Sequence, residues 1–393
     1  MIPIKPDLSS IDFSTSPFIV IWETTRSCAL KCVHCRAEAI DQRDPEELTR
    51  EEAFALLKEV RRFGQPLVVL TGGDPLRRPE LFEIVKHGSD LGLRMALTPS
   101  GTPEVTLEKL IKLKENGLAR LAVSLDGSSA EIHDAFRRVP GSYDWTLKII
   151  RWANSIGLPV QINTTITKHN LLDVDEIVTL LESLKIVLWS VFFLVPVGRG
   201  RLEDEVSARD YEKIFHKMVD LSLSGSFDIK STEAPHYRRV VIQRKKAAGQ
   251  GGLPVRAGSF VWPATGPEDG IGRAAKGVND GNGFVFISHT GEIWPSGFLP
   301  LTAGNVKKDS LVDVYRNSEI FKGLRDYSKL KGKCGVCEYK SVCGGSRARA
   351  YAVTGDTMGS DPFCVYLPKG YLISGEEKKF WNEGFNVMSL KNA

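Results

Sequence analysis

The sequence predicts an α/β protein: a partial (βα)6 barrel of the TIM type followed by a small cysteine-bearing C-terminal domain. Three observations carry this reading. From Phe18 to about Leu223, short β-branched runs alternate with helix-patterned segments, the order of βα units around a parallel sheet. The stretch 239–282 is rich in Gly, Arg and Lys and has little periodicity, as a bridge between two units does. A second compact pattern then opens at Phe284 and holds the last four cysteines.

Six strands are expected, at 18–23, 66–71, 94–98, 120–125, 160–165 and 187–195. Between the first two, Thr49-x-x-Glu52 is a capping-box pattern that starts a helix with Ala53, Phe54, Leu57 and Val60 on one face. The second helix is expected to open at Pro79, since proline suits a first turn. Further helices are expected near 106–116, 143–155, 173–184 and 208–223. A hairpin around His289-Thr290-Gly291 leads into the small domain. The expected division is an extension at 1–17, a barrel at 18–230, a bridge at 231–282, a cysteine domain at 283–368 and a loosely attached tail at 369–393.

The chain has 393 residues, 42% of them hydrophobic and 25% charged, enough for a substantial core. Its net charge of +4 is not gathered into a Lys/Arg block, so nucleic acid is not an implied partner. Residues 1–15 lack the apolar core of an export signal, and the longest apolar run, 186–197, is too short to cross a bilayer. A cytoplasmic protein without a membrane partner is the expectation. Seven cysteines is an odd number, and they fall in two tight groups about 300 residues apart, which argues for metal ligation by reduced thiolates rather than a disulfide framework.

The first group, Cys28, Cys32 and Cys35, follows the first strand directly, on the loop where a βα barrel presents its chemistry. Three thiolates can hold three irons of a [4Fe-4S] cube and leave the fourth without a protein ligand. S-adenosylmethionine (SAM) can chelate that iron through its amino and carboxylate groups. One electron then cleaves its sulfur–carbon bond to a 5′-deoxyadenosyl radical, which removes hydrogen from unactivated carbon. Zinc is the structural alternative, but it normally takes four ligands, and His34 cannot easily turn back to join Cys28 and Cys32.

These residues resemble the radical SAM superfamily, whose signature is CxxxCxφC with an aromatic residue at φ. His34 fills φ here, and the resemblance implies that it packs near the adenine. Gly72-Gly73-Asp74-Pro75 at the end of the second strand is similar to the family's GGEP loop, which binds the SAM amino group through close backbone approach; a tight turn is the plainer reading. Ser100, Ser124, Asp126 and Asn163 fall at positions that contact the ribose or the methionyl carboxylate in similar enzymes, or are ordinary turn and barrel polar groups. Arg137 is either a bidentate partner of the SAM carboxylate or a surface helix arginine.

Cys334, Cys337, Cys343 and Cys364 supply four thiolates, a complete set for a second [4Fe-4S] cluster or for a zinc ribbon. The arrangement resembles a SPASM or twitch-like domain, which typically holds two auxiliary clusters. Here Arg347 and Ser296 stand where such a domain has cysteines, so one auxiliary cluster is implied, for electron relay or support. The segments 21–28, 35–39 and 193–200 look especially like the group that includes alternative haem and haem d1 biosynthesis proteins.

The resemblance implies a radical SAM enzyme acting on a tetrapyrrole side chain or a peptide, with an electron donor such as ferredoxin or flavodoxin. Arg199, Arg201, His236, Arg238 and Arg239 could meet tetrapyrrole propionates or make rim salt bridges. About seventeen residues precede the first strand, which disfavours a leader-binding domain and with it peptide chemistry. The alternative from another class is a non-catalytic iron–sulfur electron carrier or a zinc-binding scaffold.

Overall fold

A computed structural model describes residues 11–224, 227–247 and 277–381. Its strands form one ten-stranded sheet, ordered β10-β9-β8-β1-β2-β3-β4-β5-β6-β7. The six expected strands are β1 (Ile19–Glu23), β2 (Leu67–Thr71), β3 (Arg94–Leu97), β4 (Leu118–Ser124), β5 (Val160–Ile166) and β6 (Leu188–Phe193). Neighbours among them pair in parallel, with helices between, as right-handed βα units require.

The helices begin where local chemistry places them. α1 (Arg50–Arg61) opens on the expected capping box, Thr49 taking the Glu52 N–H and Glu52 taking that of Thr49. Ala53, Leu56, Leu57 and Val60 form its buried stripe, while Phe54 stays half-exposed and stacks on His87. α2 (Leu81–Asp90) starts two residues later than expected, because Pro75–Arg77 form a 3-10 turn and Pro79 precedes the cap. α3 (Leu107–Glu115) and α4 (Ala130–Arg137) are capped by Thr106 and Ser129. α5 (Ser142–Ser155), α6 (Val174–Ser183) and α7 (Ala208–Ser224) complete the barrel's outer layer.

Two parallel strands lie beyond the expected six. β7 (Asp228–Thr232) pairs with β6, and α8 (Tyr237–Ala247) follows it. Asp-Ile-Lys-Ser-Thr is half-buried throughout and carries no apolar alternation, so its pattern is silent. β8 (Phe284–Ile287), expected only as one arm of a C-terminal hairpin, also pairs in parallel with β1, while β9 (Glu292–Trp294) and β10 (Gly304–Asn305) extend that edge antiparallel. The hairpin is real, but its first strand continues the barrel sheet.

The remaining helices, α9 (Leu311–Asn317), α10 (Glu319–Arg325), α11 (Gly332–Val336), α12 (Arg347–Thr354) and α13 (Gly375–Lys378), belong to the C-terminal part. Most of the expected bridge, 248–276, and of the expected tail, 382–393, lies outside the described residues. Within the tail, Phe380 packs on Phe363 and accepts the Ala208 N–H. One continuous core runs from Val20 and Trp22 through Leu121, Ile162 and Trp189 to Phe321 and Phe363. No described helix is long and apolar enough to cross a membrane.

Candidate active site

The cysteine loop leaves the end of β1 and is held from three sides. It closes on itself through Cys28 N–H to Ile40 O (2.8 Å) and Ile40 N–H to Arg26 O (3.1 Å). The C-terminal end of α4 supplies two acceptors, Phe136 O for Val33 N–H (3.1 Å) and Arg137 O for Lys31 N–H (3.3 Å). From the loop after β6, Arg199 donates to Cys35 O through its backbone and to Cys32 O and Ala39 O through its guanidinium. Gly198 allows that approach: its φ is +58°, and a Cβ there would lie 2.5 Å from Arg36 O. Arg199, a candidate for a substrate propionate, is therefore a brace of the cysteine loop.

Each sulfur of the loop receives a donor. Cys28 Sγ takes Leu30 N–H (3.3 Å) and lies 3.2 Å from Ser100 Oγ, Cys35 Sγ takes Ala39 N–H (3.5 Å), and Cys32 Sγ takes Arg137 Nη1 (3.5 Å). These donors suit thiolates. Burial pushes the Cys28 thiol up to about 11, so a thiolate there needs a bound cationic core to offset desolvation. The three-sulfur set with its donors thus fits an iron–sulfur cluster. The His34 ring lies 4.6 Å from that of Phe136, its Nδ1 is buried without a hydrogen-bond partner, and burial holds the imidazole well below its usual pKa. Among the described residues, no group of three or more His, Cys, Asp or Glu side chains is placed to hold a single metal ion.

The glycine loop after β2 lies flush against the cysteine loop. Gly73 N–H donates to Thr25 O (2.8 Å) and Asp74 N–H to Ser27 O (2.7 Å). A Cβ at Gly72 would sit 2.2 Å from Thr25 O, and one at Gly73 2.4 Å from Ser27 O, so side chains are excluded at both positions. Ser100 Oγ donates to Gly73 O at 2.9 Å, joining the two loops through one hydroxyl. Asp74 turns inward, accepting from Leu76 N–H (3.2 Å) and Thr102 Oγ1 (3.0 Å), and burial raises its pKa. Its side chain holds the loop.

Across the barrel, Ser124 and Asn163 are register partners on β4 and β5, and Gln161 donates to Asn163 Oδ1 at 2.7 Å. Asp126, fully buried, accepts Thr165 N–H (2.7 Å) and Arg137 Nη2. Burial raises the Asp126 pKa, with Arg137 opposing. Burial pushes His133 down to about 3, and the neutral ring accepts Asp126 N–H through Nδ1. Arg137 is buried rather than on the surface, and its Nη2 pairs with the Asp126 carboxylate.

The four distal cysteines line one cavity together with His236, Arg239, Lys333, Lys340 and Asp361. Three of their sulfurs accept backbone N–H groups at 3.4 Å: Cys334 from Asp361, Cys337 from Tyr339 and Cys343 from Gly345. Lys333 donates to Cys364 O. Arg238 donates to Val342 O (3.1 Å) and Arg239 pairs with Glu212, so both lie beside this cavity. Arg347 is wholly buried and donates to Gly345, Thr357 and Gly359 carbonyls, while Ser296 donates to Glu233. Hydrogen-bonded side chains thus occupy the two positions where a SPASM domain has cysteines. Sequence reasoning missed Glu233 and Arg349, which tie this region to the ends of β6 and β7.

A parallel barrel whose first strand ends in a three-cysteine loop, clasped by a glycine loop from the second strand, defines an iron–sulfur enzyme that works on SAM. The chain belongs to the radical SAM superfamily, whose profile matches residues 22–184. It is 42% identical over 358 residues to the AdoMet-dependent heme synthase of Methanosarcina barkeri, spanning 91% of this chain and 99% of that protein. It is 26% identical over 363 residues to the PqqA peptide cyclase of Bradyrhizobium diazoefficiens, spanning 90% of this chain and 87% of that one. Streptococcus suis SuiB bound to S-adenosylmethionine has a similar fold, with a TM-score of 0.66 at 17% identity over 90% of this chain and 78% of that one. The partial barrel expected from sequence is the fold found.

Proposed function

We propose that this radical SAM enzyme acts on an iron-bound tetrapyrrole in haem formation. The carrying observation is the 42% identity to an AdoMet-dependent heme synthase over nearly the full length of both chains. When bound, the cluster and SAM supply a 5′-deoxyadenosyl radical that abstracts hydrogen. The chain's own part is to hold and orient them. Cys28, Cys32 and Cys35 ligate the cluster, backbone groups of Gly72 and Gly73 receive the SAM amino group, and His34 lies against the adenine. Ser100, Ser124 and Asn163 take ribose or carboxylate oxygens, while Asp74 and Asp126 hold the loops that carry them.

In the same reading, Cys334, Cys337, Cys343 and Cys364 hold a second [4Fe-4S] cluster; their three N–H···S contacts and the flanking Arg238, Arg239 and Lys333 suit an anionic centre. The electron donor is a small acidic carrier of the ferredoxin or flavodoxin kind. Seven unpaired cysteines fit a reducing, cytoplasmic setting.

Anaerobically reconstituted protein is expected to bind about eight irons and to form 5′-deoxyadenosine with reductant and SAM. C28A should retain about four irons and lose SAM cleavage. Incubation with carboxylate-bearing iron tetrapyrroles, read by mass spectrometry, should yield a modified tetrapyrrole. A product only from peptides would overturn the substrate, and eight irons without 5′-deoxyadenosine would overturn the enzyme reading.

A further inference from the structure

We propose that Arg137 is a positioning residue that raises the reduction potential of the cluster held by Cys28, Cys32 and Cys35, donating from Nη1 to Cys32 Sγ while Asp126 fixes the guanidinium. The inference rests on the three-cysteine cluster and goes beyond it, by giving one ligand sulfur a charged donor from another element.

The geometry is built from both ends. Nη1 lies 3.5 Å from Cys32 Sγ, and Nη2 is taken by the Asp126 carboxylate. Asp126 cannot swing away, because Thr165 N–H on β5 donates to it at 2.7 Å and Arg137 holds its other oxygen. The backbone of α4 is fixed to the same loop, since Phe136 O and Arg137 O accept Val33 and Lys31 N–H groups on either side of Cys32. Arg138 ends the helix in the left-handed region at φ 56°, which stops α4 at this contact.

A guanidinium beside a thiolate makes a charge-assisted hydrogen bond, and in a desolvated site its field is weakly screened. Drawing electron density from a ligand sulfur stabilises the more negative, reduced cluster. Asp126 accepts from Nη2 rather than Nη1, so an Nη1 N–H remains directed at the sulfur. Nη2 is taken by Asp126 and Nη1 faces sulfur, while Nε is buried without a partner, so the test reads SAM affinity beside the potential.

The test is an EPR-monitored redox titration of the full-length reconstituted protein, following only the signal that SAM perturbs, which isolates the first cluster from the distal one. For R137M the reduced-to-oxidised ratio at a fixed poise is expected to fall at least about tenfold, equivalent to about 59 mV for one electron. R137K keeps the charge but reaches less far, so its shift should have the same sign and be smaller. SAM affinity should stay within a few-fold of wild type in both. An unchanged ratio together with a tenfold or larger loss of SAM affinity would make Arg137 a SAM ligand and overturn the proposal; no change in either would reduce Arg137 to packing and overturn it equally. Should R137M fail to assemble the first cluster, R137K decides alone, and no shift in R137K overturns the proposal. A wild-type protein with no SAM-responsive signal fails earlier, sinking the cluster assignment and this role with it.

Discussion

Ser100 touches Cys28: its Oγ lies 3.2 Å from the cysteine sulfur while donating to Gly73 O at 2.9 Å. A residue after β3 thereby joins the loops after β1 and β2, so the cysteine loop and the glycine loop are set against one another rather than separately. Removing the hydroxyl in S100A loses a part-buried hydrogen bond of about 1 kcal/mol, and SAM binding should weaken about fivefold with iron content unchanged. A SAM titration of the reduced cluster signal measures this. Iron loss with unchanged affinity would instead assign the hydroxyl to cluster assembly.

Gly73 sets the separation of the same two loops. An added Cβ would meet Ser27 O at 2.4 Å and Arg26 O at 2.6 Å, and Asp74 N–H on Ser27 O prevents those carbonyls from yielding. Overpacking of this kind costs about 1–3 kcal/mol, and here it falls on the cluster loop. G73A is expected to lower bound iron from about eight to about four while the fold persists. Gly323 on α10, where an added methyl would have nothing within 4 Å, is the control: G323A should leave iron content unchanged.

The chemistry of the first site was readable because it is local. Three cysteines, two glycines and a strand end sit within short stretches, and barrel topology then brings β1, β2 and β3 side by side. What stayed hidden depends on partners far along the chain. Nothing in Phe284–Ile287 says that its neighbour is β1 rather than only β9, and the polar β7 acquires strand character only from β6. Arg137 illustrates the same limit within a site. Its place at i+4 from buried His133 and beside buried Phe136 puts a charge on the inner face of α4, a usable signal, but the carboxylate and sulfur it meets lie 11 and 105 residues away. Arg199 read as either a propionate contact or a rim salt bridge for a similar reason, since its acceptors are carbonyls of the distant cysteine loop.

His289 joins the β8–β9 turn to the site, with Nδ1 2.8 Å from Glu23 and Nε2 3.2 Å from Asp44, while Arg36 pairs with Glu23 on its other side. Burial pulls the imidazole down, but Glu23 and Asp44 together hold its pKa above the usual value. A raised folded-state pKa gives stability that is complete below the unfolded value, about 6.5, and lost as pH rises through the folded value. The melting temperature of wild type relative to H289Q should therefore be highest near pH 6 and should converge on that of H289Q as pH rises. A difference that grows with pH would show that the neutral ring is the stabilising form. Calorimetry across pH 5.5–8.5 decides.

Arg349 links the barrel rim to the region of the distal cysteines. It is wholly buried and donates to Phe193, Leu194 and Glu233 carbonyls, with Asp361 3.4 Å and Glu205 3.9 Å away. Asp361 in turn sends its N–H to Cys334 Sγ, so the guanidinium steadies a sulfur it does not touch. Burial raises Glu205 to about 8, with Arg349 opposing, so deleting the arginine removes the nearest full positive charge from Asp361 and drives Glu205 further toward its neutral form. Breaking a buried pair by removing one partner costs about 3–5 kcal/mol, and R349M should show it in urea unfolding as a lower midpoint. The distal cluster should be released at lower urea than the first, because Asp361 loses its anchor there while the cysteine loop after β1 keeps all of its contacts. Iron-specific absorbance recorded alongside far-UV circular dichroism follows both events, and simultaneous loss of the two clusters would mean that Arg349 supports the fold as a whole rather than the distal site.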